Sequence, residues 1–129
     1  MSESKKVMLA DLHKEHKEWR SQLAFYKDEI NVFESRLSEL VQRFTAQKVL
    51  AEIERYQNQF IRQKEVIDII NHDIGVKHRK LEQFSRKNPK QIELAVYSDH
   101  DKLREDMDAF RRIYKGLKKD YNKLLLKLL

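Results

Sequence analysis

The sequence contains no cysteine, two glycines and one proline in 129 residues. Without cysteine there are no disulfides, thiolate zinc sites, iron–sulfur ligands or cysteine nucleophiles. So little glycine and proline argues against a fold rich in turns or strands. No apolar run approaches the ~18 residues that a membrane span requires, and the opening residues, MSESKK, are charged too early for a signal peptide. We therefore expect one helical domain, residues 1–129, in the cytoplasm.

Sequence signatures of catalysis are also missing. The chain has no glycine-rich phosphate loop, no HExxH motif and no Glu-x-x-His pair. The last motif supplies ligands to di-iron helical bundles, together with inward-facing glutamates. No carboxylate occupies an inward position of the first two seams described below, from Leu9 to Phe84. We expect a protein that is not an enzyme and holds no cofactor.

What the chain has is charge and apolar heptads. Charged residues make up 37% of the sequence, and the formal net charge is +6. From Leu9 to Phe44, alternating steps of three and four residues meet an apolar or aromatic residue at every position except His16. This seam predicts a helix over residues 4–44, with Ser4 as a candidate cap. Its positions are Leu9, Leu12, His16, Trp19, Leu23, Tyr26, Ile30, Phe33, Leu37, Leu40 and Phe44.

A change of phase marks the end of this first helix. Continuing the seam would turn Gln47 and Lys48 inward, whereas the apolar residues fall at Ala46 and Val49. A tight hairpin with Thr45 as N-cap explains the jump, and we favour it. The alternative is one helix of about eighty residues with a stutter. The second seam predicts a helix over residues 46–86 and comprises Ala46, Val49, Ile53, Tyr56, Phe60, Gln63, Ile67, Ile70, Ile74, Lys77, Leu81 and Phe84.

The segment from Ser85 to Pro89 predicts a second connection. Asn88 suits an N-cap and Pro89 suits the first helical position, so we expect a third helix over residues 89–128. Residues 89–97 are partly out of phase, so they belong either to this helix or to a separate short turn. The third seam comprises Val96, His100, Leu103, Met107, Phe110, Tyr114, Leu117, Tyr121, Leu124 and Leu128.

Three long helices with short connections predict an all-α fold, an up-down-up antiparallel three-helix bundle with coiled-coil-like packing. The outline is similar to spectrin-type three-helix repeats, which also carry a tryptophan in their first helix, as Trp19 does here. The resemblance implies the fold and leaves the function open, because one architecture serves many functions.

A histidine pair forms the most specific polar feature. If the two turns centre near residues 45 and 87–88, His16 lies level with Ile74 and residue 101, and therefore in one layer with His100. Buried imidazoles need hydrogen-bond partners. We expect a polar layer that fixes the helix register, as buried asparagine does in coiled coils. The alternative is a metal or small-ligand site formed by His16, His100 and Asp73.

Other polar residues receive structural interpretations. His72 and His78 fall on outer or flanking positions, so we expect both at the surface. Gln63 lies level with Tyr26 and Tyr114, and hydrogen bonds to their phenolic hydroxyls would satisfy its amide.

The end of the chain is basic. Between Ala109 and Leu129 there are seven basic residues and one acid, Asp120. Such a patch either is a solvated lysine-rich face or binds a polyanion such as a nucleic acid or an acidic surface. Its residues are Arg111, Arg112, Lys115, Lys118, Lys119, Lys123 and Lys127.

Four apolar residues lie off the seams. Phe25 and Val32 stand seven residues apart on the first helix, and Ile69 and Val76 do the same on the second. This spacing predicts a second packing stripe, which covers residues 89–97 or joins two copies in a symmetric homodimer. We favour the dimer.

These patterns predict a non-catalytic helical scaffold or adaptor that acts through protein–protein contacts and self-associates. Polyanion binding through the basic end is the first alternative. Metal or small-ligand binding at the His16–His100 layer is the second.

Overall fold

The structure, a computed structural model, describes the backbone of residues 2–87 and 92–129 and the side chains of residues 11–83, 86 and 99–129. Three helices account for almost all of this part: α1 (Ser2–Arg43), α2 (Gln47–Lys87) and α3 (Ile92–Leu128). The backbone of α2 packs against both α1 and α3. The predicted all-α three-helix bundle is confirmed. Across the described residues, we find no helix with the length and apolar character of a membrane span.

The α1–α2 connection is a hairpin and not a stutter in one long helix. Residues 44–46 leave the helical conformation, and the Ala46 carbonyl accepts hydrogen bonds from the amides of Val49 and Leu50 at 3.1 and 3.0 Å. Ala46 is therefore the N-cap, one residue after the predicted Thr45. Because α1 is already helical at Ser2, the predicted cap Ser4 instead lies inside its first turn.

The α2–α3 connection is only partly described. The predicted capping by Asn88 and Pro89 lies outside the described residues. The backbone is helical without interruption from Ile92 to Leu128. Residues 92–97 therefore belong to α3 and do not form a separate turn.

The core follows the three seams closely. Every side chain that the structure describes as buried occupies a predicted seam position. Near the middle of the hydrophobic core, one aromatic ring from each helix meets in what we call the aromatic layer: Phe33, Phe60 and Tyr121. Their ring centroids lie 4.6 to 5.5 Å apart. In this layer all three helices pack against one another through large apolar surfaces.

The register differs from simple hairpin arithmetic by about one turn. Lys27 pairs with Asp68 at 2.9 Å, whereas a turn centred on residue 45 puts residue 63 level with Lys27. Helical side chains lean toward the N-terminus of their own helix. In an antiparallel pair the side chains of the two helices lean in opposite directions, so the residues whose side chains meet are not level in the backbone register. In a parallel pair the side chains lean in the same direction, and their contacts follow the backbone register. Accordingly, polar pairs between α1 and α3 keep a separation of 85 or 89 residues, close to the predicted 85.

Candidate functional site

All three helices contribute to a group of imidazoles that we call the histidine layer. His13 and His16 come from α1, His78 from α2 and His100 from α3. The ring centroid of His16 lies 5.5 Å from that of His100 and 5.8 Å from that of His78. His13 contacts His78 edge-on at 4.5 Å. The structure thus brings His16 and His100 together, as predicted, and adds His13 and His78, which the predicted layer did not include.

His16 is the least satisfied member of this layer. Its side chain is 6% exposed, and neither Nδ1 nor Nε2 has a hydrogen-bond partner among the residues that the structure describes. Each unpartnered buried polar atom costs about 1–3 kcal/mol. Burial lowers the pKa of His16 to about 4, helped by the charges of His100, His78 and His13 and opposed by Glu15. His16 is therefore uncharged at neutral pH.

His100 is held by a charged pair on the surface of the layer. Its Nε2 lies 3.1 Å from Glu15 Oε2, and Arg104 donates from Nε and Nη2 to the two oxygens of Glu15, each at 3.2 Å. Because a carboxylate only accepts, Nε2–H of His100 is the donor. Nδ1 then remains buried without a partner. The Trp19 ring stacks on His100 at 5.1 Å and closes the other side.

Glu15 stays ionised because of these partners. Burial by itself raises the pKa of Glu15, but the hydrogen bonds and charges of Arg104 and His100 outweigh it and hold the pKa below the ordinary value. The carboxylate therefore balances positive charge on the α3 side of the layer. It does not hydrogen-bond His16, whose nitrogens are unpartnered.

On its other side the histidine layer opens into a groove between α1 and α2, which we call the histidine groove. Its volume is about 540 Å³, and its lining combines imidazoles, two cations, a hydroxyl and two apolar side chains. Gly75 of α2 adjoins it, because a Cβ there would lie 3.0 Å from Arg20 Nη2. The lining residues are His13, His16, Lys17, Arg20, Ser21, Ala24, Ile74 and His78.

The expectation that His78 is a surface residue is wrong. Its side chain is only 33% exposed and contacts both His13 and His16. The lean of side chains in an antiparallel pair brings His78, one turn beyond Ile74, against His16. Positions that flank the seam face the neighbouring helix in a bundle, and including them in the layer would have found His78 and Glu15. His72 is exposed, as expected.

The candidate metal ligands do not converge. Asp73 is half-buried, and its heptad position places it on the flank of α2 that turns toward α3. Within residues 11–83, 86 and 99–129, no group of three or more histidine, aspartate or glutamate side chains is arranged to hold a metal ion. His16 and His100 are therefore polar neighbours, but the described residues around them do not complete a set of metal ligands.

The described hydrogen bonds do not include those predicted between Gln63 and the hydroxyls of Tyr26 and Tyr114. The Tyr114 hydroxyl donates to Glu29, which also binds Lys118 at 3.0 Å. Burial and this bond raise the pKa of Tyr114. Gln63 is buried and lines a second groove, between α2 and α3, with Leu117. The hydrogen-bond partner of the Tyr114 hydroxyl is therefore Glu29, which flanks the seam, and not the seam residue Gln63.

The basic end divides into paired and unpaired cations. Arg111 pairs with Asp108, Lys118 with Glu29 and Lys127 with Glu52. The remaining four are exposed and take part in none of the ion pairs that the described side chains form. Their spacing of three, four and four residues places them along one outer face of α3. We call these residues, Arg112, Lys115, Lys119 and Lys123, the cationic row.

Phe25 and Val32 lie on the flank of α1 that turns toward α3. Phe25 lies one turn from Gln22 and Glu29, which bind Arg111 and Lys118 of α3. Val32 follows seven residues later on the same flank. Both side chains are more than half exposed.

Ile69 and Val76 lie on a different face of the bundle. Arg62 lines the groove between α2 and α3, and Ile69 and Val76 follow it at intervals of seven residues, each about 10 Å further along α2. The structure therefore places the four residues of the predicted stripe on two faces, one on each side of α3, instead of one. Ile69 is 52% exposed, whereas Val76 is half-buried.

The groove between α2 and α3 carries another exposed apolar residue, which the spacing of the predicted stripe does not include. Ile113 is 53% exposed and lines this groove, whose volume is about 410 Å³, beside Gly116. Arg62, Arg112 and Asp120 also line it. We call the surface formed by Ile69, Ile113 and these three charged residues the α2–α3 face.

Comparison of the chain with models of protein families, with curated proteins and with solved structures gives no match.

Proposed function

We propose that the chain is a non-catalytic helical scaffold that acts through protein–protein contacts and pairs with a second copy of itself through the α2–α3 face. The observation that carries this proposal is the exposure of Ile69 and Ile113, 52% and 53%, on the same side of the bundle. Exposed apolar side chains are common singly, but a group with a charged rim is typical of an interaction surface.

The rim of this face supports a second copy as the partner. Arg62 and Arg112 lie on one groove with Asp120, so the surface carries both signs of charge. In a two-fold symmetric dimer, the same residues meet from both sides, so Asp120 of each copy can pair with an arginine of the other. Gly116 adds a flat position to the groove, because, its chain neighbours and the backbone of α3 aside, no described atom lies within 4 Å of where its Cβ would be. A partner helix can therefore approach closely there.

Light scattering after size-exclusion chromatography tests the proposal. We expect a dimer at about 10 μM wild-type protein, and we expect Ile69→Glu or Ile113→Glu to give monomers. Ile61→Glu is the matched control, because Ile61 is 47% exposed on α2 but lies on the flank that faces α1. A monomeric wild type, or equal dissociation by the Ile61 variant, would contradict the proposal.

The cationic row favours polyanion binding as a second candidate function. Four unpaired cations along some three turns of α3 present a linear positive surface of the kind that follows a phosphate backbone. The three paired cations of the same region contribute less, since their charges are already balanced by Asp108, Glu29 and Glu52.

Salt-dependent binding to duplex DNA tests this candidate. Four phosphate contacts predict a slope of log K against log salt of about −3 to −4. We expect Lys115→Glu/Lys119→Glu/Lys123→Glu to abolish the binding, and the charge-matched variant Lys14→Glu/Lys48→Glu/Lys102→Glu to retain most of it. No wild-type binding at about 50 mM salt, or the same loss in both variants, would rule out the cationic row.

A further inference from the structure

We propose that the histidine groove binds the phosphate group of a small organic anion. This inference goes beyond the scaffold function, because it concerns the groove between α1 and α2 and not the α2–α3 face. It rests on three independent features of the groove: the charge of its lining, an unsatisfied buried imidazole in its wall, and the absence of a side chain at Gly75.

The lining supplies positive charge and hydrogen-bond donors. Lys17 and Arg20 supply positive charge, Ser21 supplies a hydroxyl, and His13 and His78 supply imidazoles. Among the described residues no aspartate or glutamate lines the groove itself, although Glu82 Oε1 lies 3.2 Å from Nε2 of His78. Lys17 and Arg20 belong to none of the ion pairs between described side chains, unlike Lys27 further along α1. Their charges are therefore available to an anion.

His16 gives the second argument. It forms part of the groove wall, is 6% exposed and, within the described part of the chain, has no hydrogen-bond partner at either nitrogen. A polar layer that only fixes register normally satisfies its own polar atoms. A phosphate in the groove would favour the positively charged imidazole, because an opposite charge nearby stabilises it. We therefore expect His16 to gain affinity for a proton when the anion binds.

Gly75 gives the third argument. A Cβ at this position would lie 3.0 Å from Nη2 of Arg20, so any larger residue requires the guanidinium to shift by a few tenths of an ångström. Glycine is an unfavourable residue in a helix interior, and here it leaves room for a side chain whose planar fork matches phosphate oxygens.

The size and composition of the groove point to an organic phosphate. Its volume of about 540 Å³ lies within the usual range of small-molecule sites, roughly 300–1,000 Å³. Imidazole faces, Ala24 and Ile74 offer apolar contact for the organic part, while Lys17 and Arg20 suit the phosphate. A phosphate group can belong to free inorganic phosphate or to an ester, and the experiment separates the two.

The test is a titration of the full chain, followed through the imidazole signals in ¹H–¹⁵N NMR spectra at pH 7 and constant ionic strength. The probes are adenosine monophosphate, inorganic phosphate and adenosine. We expect saturable shifts at His13, His16 and His78 with adenosine monophosphate and weaker binding of inorganic phosphate. Equal binding of the two phosphates would keep the phosphate site and assign free phosphate as its source. No saturation with either phosphate up to about 10 mM, or equal binding of adenosine, would overturn the proposal.

Substitutions then locate the site. We expect Arg20→Gln to weaken phosphate binding about tenfold, because one charge-assisted bond is lost. Lys17→Gln should weaken it less. Arg43→Gln is the matched control, an exposed α1 cation far from the groove, and should leave binding unchanged. Equal losses in the Arg20 and Arg43 variants would show non-specific attraction and overturn the proposal.

Gly75→Ala separates a ligand role from a structural one. Replacing a helical glycine by alanine should raise the melting temperature by a few degrees, because the flexible end of Arg20 can move aside. The same movement should weaken phosphate binding. A variant that is more stable and still binds phosphate as the wild type does would contradict the role of Arg20.

Discussion

The aromatic layer and the histidine layer lie at two levels of one bundle and differ in what they contribute. In the aromatic layer, Phe33, Phe60 and Tyr121 fill the space between the helices. Its one buried polar atom, the Tyr121 hydroxyl, stays neutral because burial raises the pKa of Tyr121 and outweighs the opposing effect of Arg36. The histidine layer holds three unpartnered ring nitrogens, two on His16 and one on His100.

The comparison teaches that burial alone does not identify a stabilising layer. Burial of large apolar rings stabilises the bundle, whereas burial of unpartnered nitrogens destabilises it. The aromatic layer thus accounts for stability, and the histidine layer is the part of the core whose composition needs another explanation.

The largest expected effect lies in the aromatic layer. Phe60 is fully buried, so Phe60→Ala should lower the free energy of unfolding by about 3–5 kcal/mol, through lost transfer energy and the cavity left behind. Urea denaturation measures it. Phe25→Ala is the control, because Phe25 is 61% exposed and its loss should change stability by less than about 0.5 kcal/mol. Equal losses of stability in the two variants would contradict the assignment of the aromatic layer to the core.

The histidine layer should respond in the opposite direction. His16→Leu replaces two unpartnered nitrogens by apolar atoms of similar volume and should raise the free energy of unfolding at pH 7 by about 1–3 kcal/mol. His72→Leu, on an exposed position of α2, should have little effect. A destabilised His16→Leu protein would mean that the imidazole contributes to packing or bonding that we have not assigned.

The rim of the histidine layer should show a smaller effect. Glu15→Gln removes the carboxylate that accepts from Arg104 and His100. Because Arg104 is half exposed and solvent screens the pair, we expect a loss of only about 1 kcal/mol. A double-mutant cycle with Arg104→Gln measures the coupling. Strictly additive losses would show that this ion pair does not hold α1 to α3.

The smallest expected effect is at Gly116, outside both layers. Apart from its chain neighbours and the backbone of its own helix, no described atom lies within 4 Å of the position where its Cβ would be, so Gly116→Ala should raise the free energy of unfolding of the monomer by about 0.5–1 kcal/mol through helix propensity. Thermal unfolding at low concentration measures it. A loss of stability would indicate that the backbone at Gly116 already lies against another surface.

Much of the fold follows from the sequence, because burial in a bundle repeats with the heptad. Seam counting assigned every described buried residue, including His16, Gln63 and His100. It also found the hairpin through the phase change near Thr45. It missed the cap by one residue, because Ala46 caps α2 through its carbonyl alone and carries no side-chain signal.

The candidate site was less predictable. Seam counting ignores flanking positions, and Glu15, Arg20 and His78 all lie there. The lean of side chains in antiparallel helices also shifted contacts by about one turn, so that His78 met His16. The histidine groove depends on how Arg20 folds over Gly75, which is a tertiary contact without a local pattern. The flanking residues and the contact between His78 and His16 follow from general rules of helix packing, whereas the contact between Arg20 and Gly75 does not.

The pH dependence of unfolding of wild type and His16→Leu tests the central claim most directly. The pKa of His16 falls from an ordinary 6.5 to about 4 on folding, so the unfolded chain binds more protons between these values and stability falls as the pH drops. Glu15, whose pKa lies below its ordinary 4.5, does not contribute above that pH. We predict that the stability advantage of His16→Leu grows steadily from pH 7 to pH 5. A constant difference between the two proteins would contradict a buried, unpartnered and uncharged His16.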